Sequence, residues 1–186
     1  GLDPNAVHIV VSDGSRGLLA AMGETLPQAQ QQRCITHKVR GLDPYLKYRQ
    51  LPTTDAEGHP LEPSQAKQQR KFEVFQDAYA IYDAPTYDEA QQRKRAFIDK
   101  WKDLEPEAVH AFEWGIERTF TFYQLDESWH RFIRTTNALE RFFREFRTKA
   151  DEIGAFPNEQ SCLTLFFLVA QLDHAKHDRK SVANKS

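Results

Sequence analysis

Beyond residue 62 the apolar side chains of this chain recur at intervals of three and four and do not alternate, so most of its length is written for helices. Pro63–Tyr82 carries Phe72, Phe75, Tyr79 and Tyr82 on one side. Thr86 followed by Glu89 reads as a capping box opening a helix with Ala90, Phe97 and Trp101. Pro106 suits a first helical position, and Val109, Phe112, Ile116 and Phe120 mark the face of the helix behind it. Asn158 is placed to cap a last helix, which runs through Leu163, Phe166, Phe167, Val169 and Leu172 and is so apolar that most of its sides need cover. Aromatic residues at this spacing read as core rather than as a platform for stacking bases.

Ahead of the helices the pattern differs. Val7–Val11 is a β-branched run that breaks at Ser12, Asp13 and Gly14, as a strand does when it enters a turn. Asp13 then stands at the carboxyl end of a strand, where open α/β sheets place ligands, although an Asp-Gly pair is also an ordinary turn. Residues 15–26 read as a helix with Leu18, Leu19 and Met22 inward, and Gln31–Lys38 as a second strand. Pro52, Gly58 and Pro60 make residues 50–62 a loop and a boundary. The expected class is α/β, mostly helical, divided into residues 1–49, an all-helical 50–128, and a helical 129–186.

The 186 residues, 40% of them hydrophobic, suffice for one core with an inserted subdomain. No apolar run reaches membrane-spanning length, no secretory leader is recognisable, and the two cysteines, Cys34 and Cys162, lie far apart, so a cytoplasmic setting is expected. A net charge of −2 argues against a general nucleic-acid binder, but the charge is segregated. Residues 31–49 hold five Lys/Arg against one acid and 129–149 hold six against two, whereas 50–128 hold nine against sixteen. Arg33, Lys38 and Arg40 form the first basic cluster; Arg134, Arg141, Arg144, Arg147 and Lys149 form the second. Such runs read either as a local basic surface or as a solvated face.

Residues 135–149 combine the chemistry. Leu139, Phe142, Phe143 and Phe146 make an apolar stripe, and Glu140, Arg144 and Arg147 follow a neighbouring line. Such a helix can hold a carboxylate at a metal site while its guanidinium groups receive a phosphate backbone. Equally, Asn137 and Glu140 have the spacing of a capping box, in which the acid only satisfies a backbone N–H. Cys34 and His37 have the gap of half a zinc site without the cysteine pair that would complete it, and His174 and His177 are no better supplied.

With these residues in place, the chain resembles the Mutator-like transposases of bacterial insertion sequences. Ser12–Gly14 with Gly17 and Leu18 looks like the family's second catalytic aspartate and the helix behind it. Gln32–His37 looks like its Cys-x-x-His motif, of uncertain role, and Arg134–Glu140 with Arg144 and Arg147 looks like the segment bearing its catalytic glutamate. Gly154–Glu159 fits the same pattern.

The resemblance implies an incomplete ribonuclease H-like domain: a partial core in residues 1–49, an all-helical insertion in 50–128, and the closing helices in 129–186. It also implies an Asp-Asp-Glu triad to which this chain contributes Asp13 and Glu140, with Mg²⁺ or Mn²⁺ bound only in the complete domain. In the family the first aspartate lies on a strand upstream of the segment that begins here. Asp3, in a loop before Pro4, does not fill that role, so the chain reads as the C-terminal part of a catalytic domain, inactive alone. The implied partner is DNA, both transposon ends and target, met by Arg33, Lys38, Arg40, Arg134, Asn137, Arg141, Arg144, Arg147 and Lys149. A homodimer is compatible with the resemblance, no membrane is involved, and the expected location is the bacterial nucleoid. The alternative is an inactive transposon remnant that serves as a DNA-binding or subunit-interaction module.

Overall fold

The computed structural model describes residues 3–55 and 57–183, with side chains described as far as Lys176. Its residues fall into two compact units, 1–136 and 137–186.

The first unit begins as a β–α–β unit. Strand β1 (Ile9–Ser12) pairs in parallel with β2 (Gln30–Arg33), Ile9 opposite Gln30 and Ser12 opposite Arg33. Helix α1 (Arg16–Thr25) makes the crossover that parallel strands require. Met22 is its buried residue, whereas Leu18, expected inward, is 44% exposed. One short helix over two strands has room for only a narrow covered stripe. The second strand is shorter than expected: Cys34 ends it, and Ile35–Arg40 is helix α2. Ile35 and Val39, four apart, both enter the core, so the run obeys the helical period its β-branched residues concealed.

After the loop come α3 (Pro63–Tyr82), α4 (Tyr87–Trp101), α5 (Pro106–Glu113) and α6 (Glu127–Ile133). Thr86 caps α4 by accepting the Glu89 N–H, and prolines open α3 and α5. The buried line of α3 runs through Ala66, Arg70, Val74, Ala78 and Ile81; of the expected aromatic stripe only Tyr82 is fully enclosed, and Phe72 is 61% exposed. Small residues let α3 approach α4 closely, which large rings on that line would prevent. Helix α5 stops at Glu113, because Gly115 takes a left-handed φ of 67°. Ile116 and Phe120 nevertheless stay buried, carried by 3₁₀ turns rather than by the longer helix expected.

Two buried polar residues cross-link distant parts of the first unit. Gln32 has no exposed surface; its amide donates to the carbonyls of Arg33 and Thr119 and accepts the Phe122 N–H at 2.8 Å. Glu105 is equally enclosed and accepts the N–H groups of Lys47 and Tyr48 at 2.7 and 3.1 Å, with Arg70 at 3.4 Å. Tyr48 and Gln50 both have positive φ, and these bonds hold that strained turn in place.

The second unit is a helical hairpin of α7 (Asn137–Ile153) and α8 (Glu159–Ala183). Phe142 and Phe146 close on Phe166 with ring centroids 5.1 and 5.5 Å apart, and Asn158 accepts the Ser161 N–H at the start of α8, as expected of a cap. Leu163, Phe167, Leu168 and Leu172 remain more than half exposed. Helix α8 is therefore covered on one side, not on most. Of the residues singled out on it, His177 lies beyond the described side chains.

Candidate active site and nucleic-acid interface

Asp13 follows β1 directly and is exposed. The turn around it is fixed: its carboxylate accepts the Ser15 N–H at 2.9 Å, and the Ser12 hydroxyl accepts the Gly14 N–H at 3.3 Å. Gly14 is required here, since its φ is 86° and a Cβ would meet the Arg33 side chain at 2.5 Å.

Cys34 closes β2 as a buried thiol. It accepts hydrogen bonds from the Thr136 N–H and hydroxyl at 3.3 and 3.4 Å, and that hydroxyl also lies 3.4 Å from Nδ1 of His37. Burial pushes the thiol's pKa up, but hydrogen bonds from Thr136 and His37 outweigh burial and hold it below the usual thiol value. The Ile35 N–H donates to the Arg134 carbonyl at 2.9 Å. Together these bonds clasp residues 134–136 to the end of β2 within the first unit.

The first basic cluster is mostly spent inside the unit. Lys38 is 3% exposed and its ammonium donates to the carbonyls of Ala111 and Trp114 at 2.9 and 2.7 Å. Burial, with a smaller push from the Arg33 charge, lowers its pKa to about 7. Arg134, of the second cluster, likewise donates to the Tyr82 carbonyl and to Asp83. Arg33 lies over the ring of Trp114, 5.9 Å from its centre, and Arg40 alone of the cluster is exposed. In the second unit Glu140 is half-buried in the first turn of α7, while Arg141, Arg144, Arg147 and Lys149 are exposed. Arg147 donates back to the Phe143 carbonyl and Lys149 pairs with Glu152. Asn137 is exposed at the start of the helix.

A profile of the Mutator family of transposases matches residues 3–61 and 62–179. This chain belongs to that family. The transposase of insertion sequence ISRM5 from Rhizobium meliloti (strain 1021) is 33% identical over 169 residues, covering 90% of this chain and 37% of the relative. The IS406 transposase of Burkholderia multivorans is 29% identical over 168 residues, covering 90% and 38%. The IS905 transposase of Lactococcus lactis is 28% identical over 156, covering 83% and 34%. The chain thus spans less than half the length of these Mutator-family relatives. Among the described residues no helix is long and apolar enough to cross a membrane.

One part of the first unit escaped sequence reasoning. A cleft of about 920 Å³ opens beside the Asp13 turn, walled by Gly14, Arg33, Lys38, Tyr45, His110 and Trp114. Trp114 sits in the acidic middle, where no chemistry was expected. Its signal was its spacing: two residues after Phe112, it falls off the buried line and has to face outward.

Proposed function

We propose that this chain forms part of the catalytic domain of a DDE transposase, with a ribonuclease H-like core interrupted by the helices of residues 50–128. Asp13 and Glu140 supply two metal-binding carboxylates, and Arg40, Arg141, Arg144, Arg147 and Lys149 meet DNA phosphates. The observation that carries the reading is an exposed aspartate, held by its own turn at the carboxyl end of a parallel strand, in a chain of the Mutator transposase family.

The donor set suits the metal. Carboxylate oxygens are hard ligands for Mg²⁺ or Mn²⁺, whereas the Cys34 sulfur, soft and already bonded to Thr136, is not. When bound, divalent ions activate an attacking oxygen and stabilise the leaving oxygen of an in-line displacement at phosphorus. Asp13 contributes a carboxylate whose orientation is set by the Ser15 N–H before any ligand arrives, so little ordering remains at the moment of binding. The α7 arginines contribute sequence-independent attraction and register along the strand.

The test is Asp13→Asn and Glu140→Gln in the protein that carries this chain. Each keeps shape and removes charge, so melting should be unchanged while strand transfer falls by orders of magnitude. If Glu140 is only a capping residue, Gln serves nearly as well there and activity persists. A Glu140→Gln protein that melts normally and joins DNA ends at the wild-type rate sinks the assignment.

A further inference from the structure

Trp114 is 53% exposed and carries two guanidinium groups over its ring, Arg16 at 5.3 Å and Arg33 at 5.9 Å from the centre. Among the described residues neither arginine has a carboxylate within ion-pair distance. The one acid lining the cleft, Glu107, is already bridged by both terminal nitrogens of Arg49. A second aromatic, Tyr45, is 47% exposed in the same wall. Arg33 also donates its Nε to the Asp13 carbonyl at 3.4 Å and feels the Asp13 charge, which leaves its terminal nitrogens outside any ion pair. The cleft therefore offers flat apolar surface, two cations outside any ion pair, and a volume of about 920 Å³, ample for one nucleotide.

We propose that this cleft receives an unpaired nucleotide of a DNA strand, its base stacked on Trp114 and its phosphate held by Arg16 and Arg33. The exchange is favourable in magnitude. An exposed cation–π contact is worth about 0.5–1 kcal/mol, whereas a base on an aromatic ring contributes about 1–3 kcal/mol and the released guanidinium gains a charge-assisted bond to phosphate. Lys38 fixes the wall by holding the Trp114 and Ala111 carbonyls. The cleft adjoins the Asp13 turn through Gly14 and Ser15, so a strand distorted there is within reach of it. That the nucleic acid is DNA rests on the function proposed above; the stacking chemistry needs neither Asp13 nor a metal.

The experiment is fluorescence anisotropy of the chain with a short labelled single-stranded oligonucleotide and with the same sequence as a blunt duplex, in EDTA, across a salt series. Trp114→Ala should weaken single-strand binding about tenfold or more, with duplex binding changed less than about twofold and the salt slope unaltered. Trp114→Phe should restore most of the affinity. The double variant Arg16→Gln, Arg33→Gln should flatten the single-strand slope by about 1.4. Trp129→Ala, at an exposed tryptophan that does not line the cleft, is the control and should bind as wild type. Folded Trp114→Ala with unchanged single-strand affinity overturns the proposal, as does an equal loss on duplex. Should Trp114→Ala melt early, Trp114→Phe with the arginine double variant decides on the same criteria. Because binding is read in EDTA and the catalytic assignment in metal-dependent strand transfer, failure of one is distinguishable from failure of the other.

Discussion

Lys38 gives a measurable handle on the cleft wall. Its pKa is lowered from 10.5 to about 7 by burial and by Arg33, so the folded chain sheds this proton about three and a half pH units before the unfolded chain does. Between those two values the unfolded state binds more protons, and folding stability must rise with pH. The slope is at most about 1.4 kcal/mol per pH unit, and integrating the two titrations from pH 7 to 9 gives about 2 kcal/mol. Below pH 7 both states are protonated and the term is flat. Lys38→Met removes it while keeping an unbranched side chain only one atom shorter. At neutral pH the variant escapes the cost of a buried ammonium but strands the Ala111 and Trp114 carbonyls, each worth about 1–3 kcal/mol, so its absolute stability is a poor diagnostic. The pH dependence is the diagnostic. Urea unfolding followed by circular dichroism at pH 6 to 9 should show wild type gaining about 2 kcal/mol relative to Lys38→Met across the upper half of that range. Other groups cancel in the comparison. Parallel curves would show that the two carbonyls keep Lys38 charged and would refute the reasoning.

Gln32→Leu should lower stability by about 2–4 kcal/mol in urea unfolding, since it strands the Phe122 N–H and the Thr119 carbonyl inside the core. Glu105→Leu should cost about 3–5 kcal/mol, because it leaves Arg70 buried without its partner and frees the strained turn at Tyr48; the residue 47–50 amides should lose hydrogen-exchange protection first. In duplex-binding titrations, Arg144→Gln with Arg147→Gln should flatten the log–log salt dependence by about 1.8, and an unaltered slope would return both residues to a solvated face.

What could be read from the sequence was what one physical rule decides alone. The strand ending at Asp13 was legible because a β-branched run meets a turn pair, and Thr86, Pro106 and Asn158 were legible because caps are chemistry local to a few residues. The second strand was expected too, over Gln31–Lys38, but its extent was not legible. Gln30–Arg33 has no strand-forming side chain, and it is a strand only because β1 lies beside it and Gln32 reaches Thr119 and Phe122, almost ninety positions away. The α3 face differs for the opposite reason: its aromatics have the right period, but the buried line runs through Ala66, Val74 and Ala78 and leaves Phe72 outside. Of the candidate site, Asp13 and the α7 arginines lie exposed, whereas Lys38 and Arg134 point their charges at carbonyls.

That last difference bears on how basic segments are used. Runs rich in Lys and Arg read from sequence either as a basic surface or as a solvated face, yet their members meet different fates according to what lies within one side-chain length. Lys38 turns inward because the α5 terminus presents two carbonyls whose helical partners have ended, and one cation satisfies both. Arg33 and Arg16 make no ion pair among the described residues and settle on an indole, Arg33 with its Nε on the Asp13 carbonyl. The acidic middle, which carries nine Lys/Arg against sixteen acids, spends many of its charges in pairs such as Lys94 with Glu117 and Lys100 with Asp77. Charges already paired have little left to give a ligand, because binding must first break what they hold. The places where this chain can meet a polyanion are therefore those where cations lack an acid, and by that criterion the Trp114 cleft ranks beside α7 and ahead of most of residues 31–49.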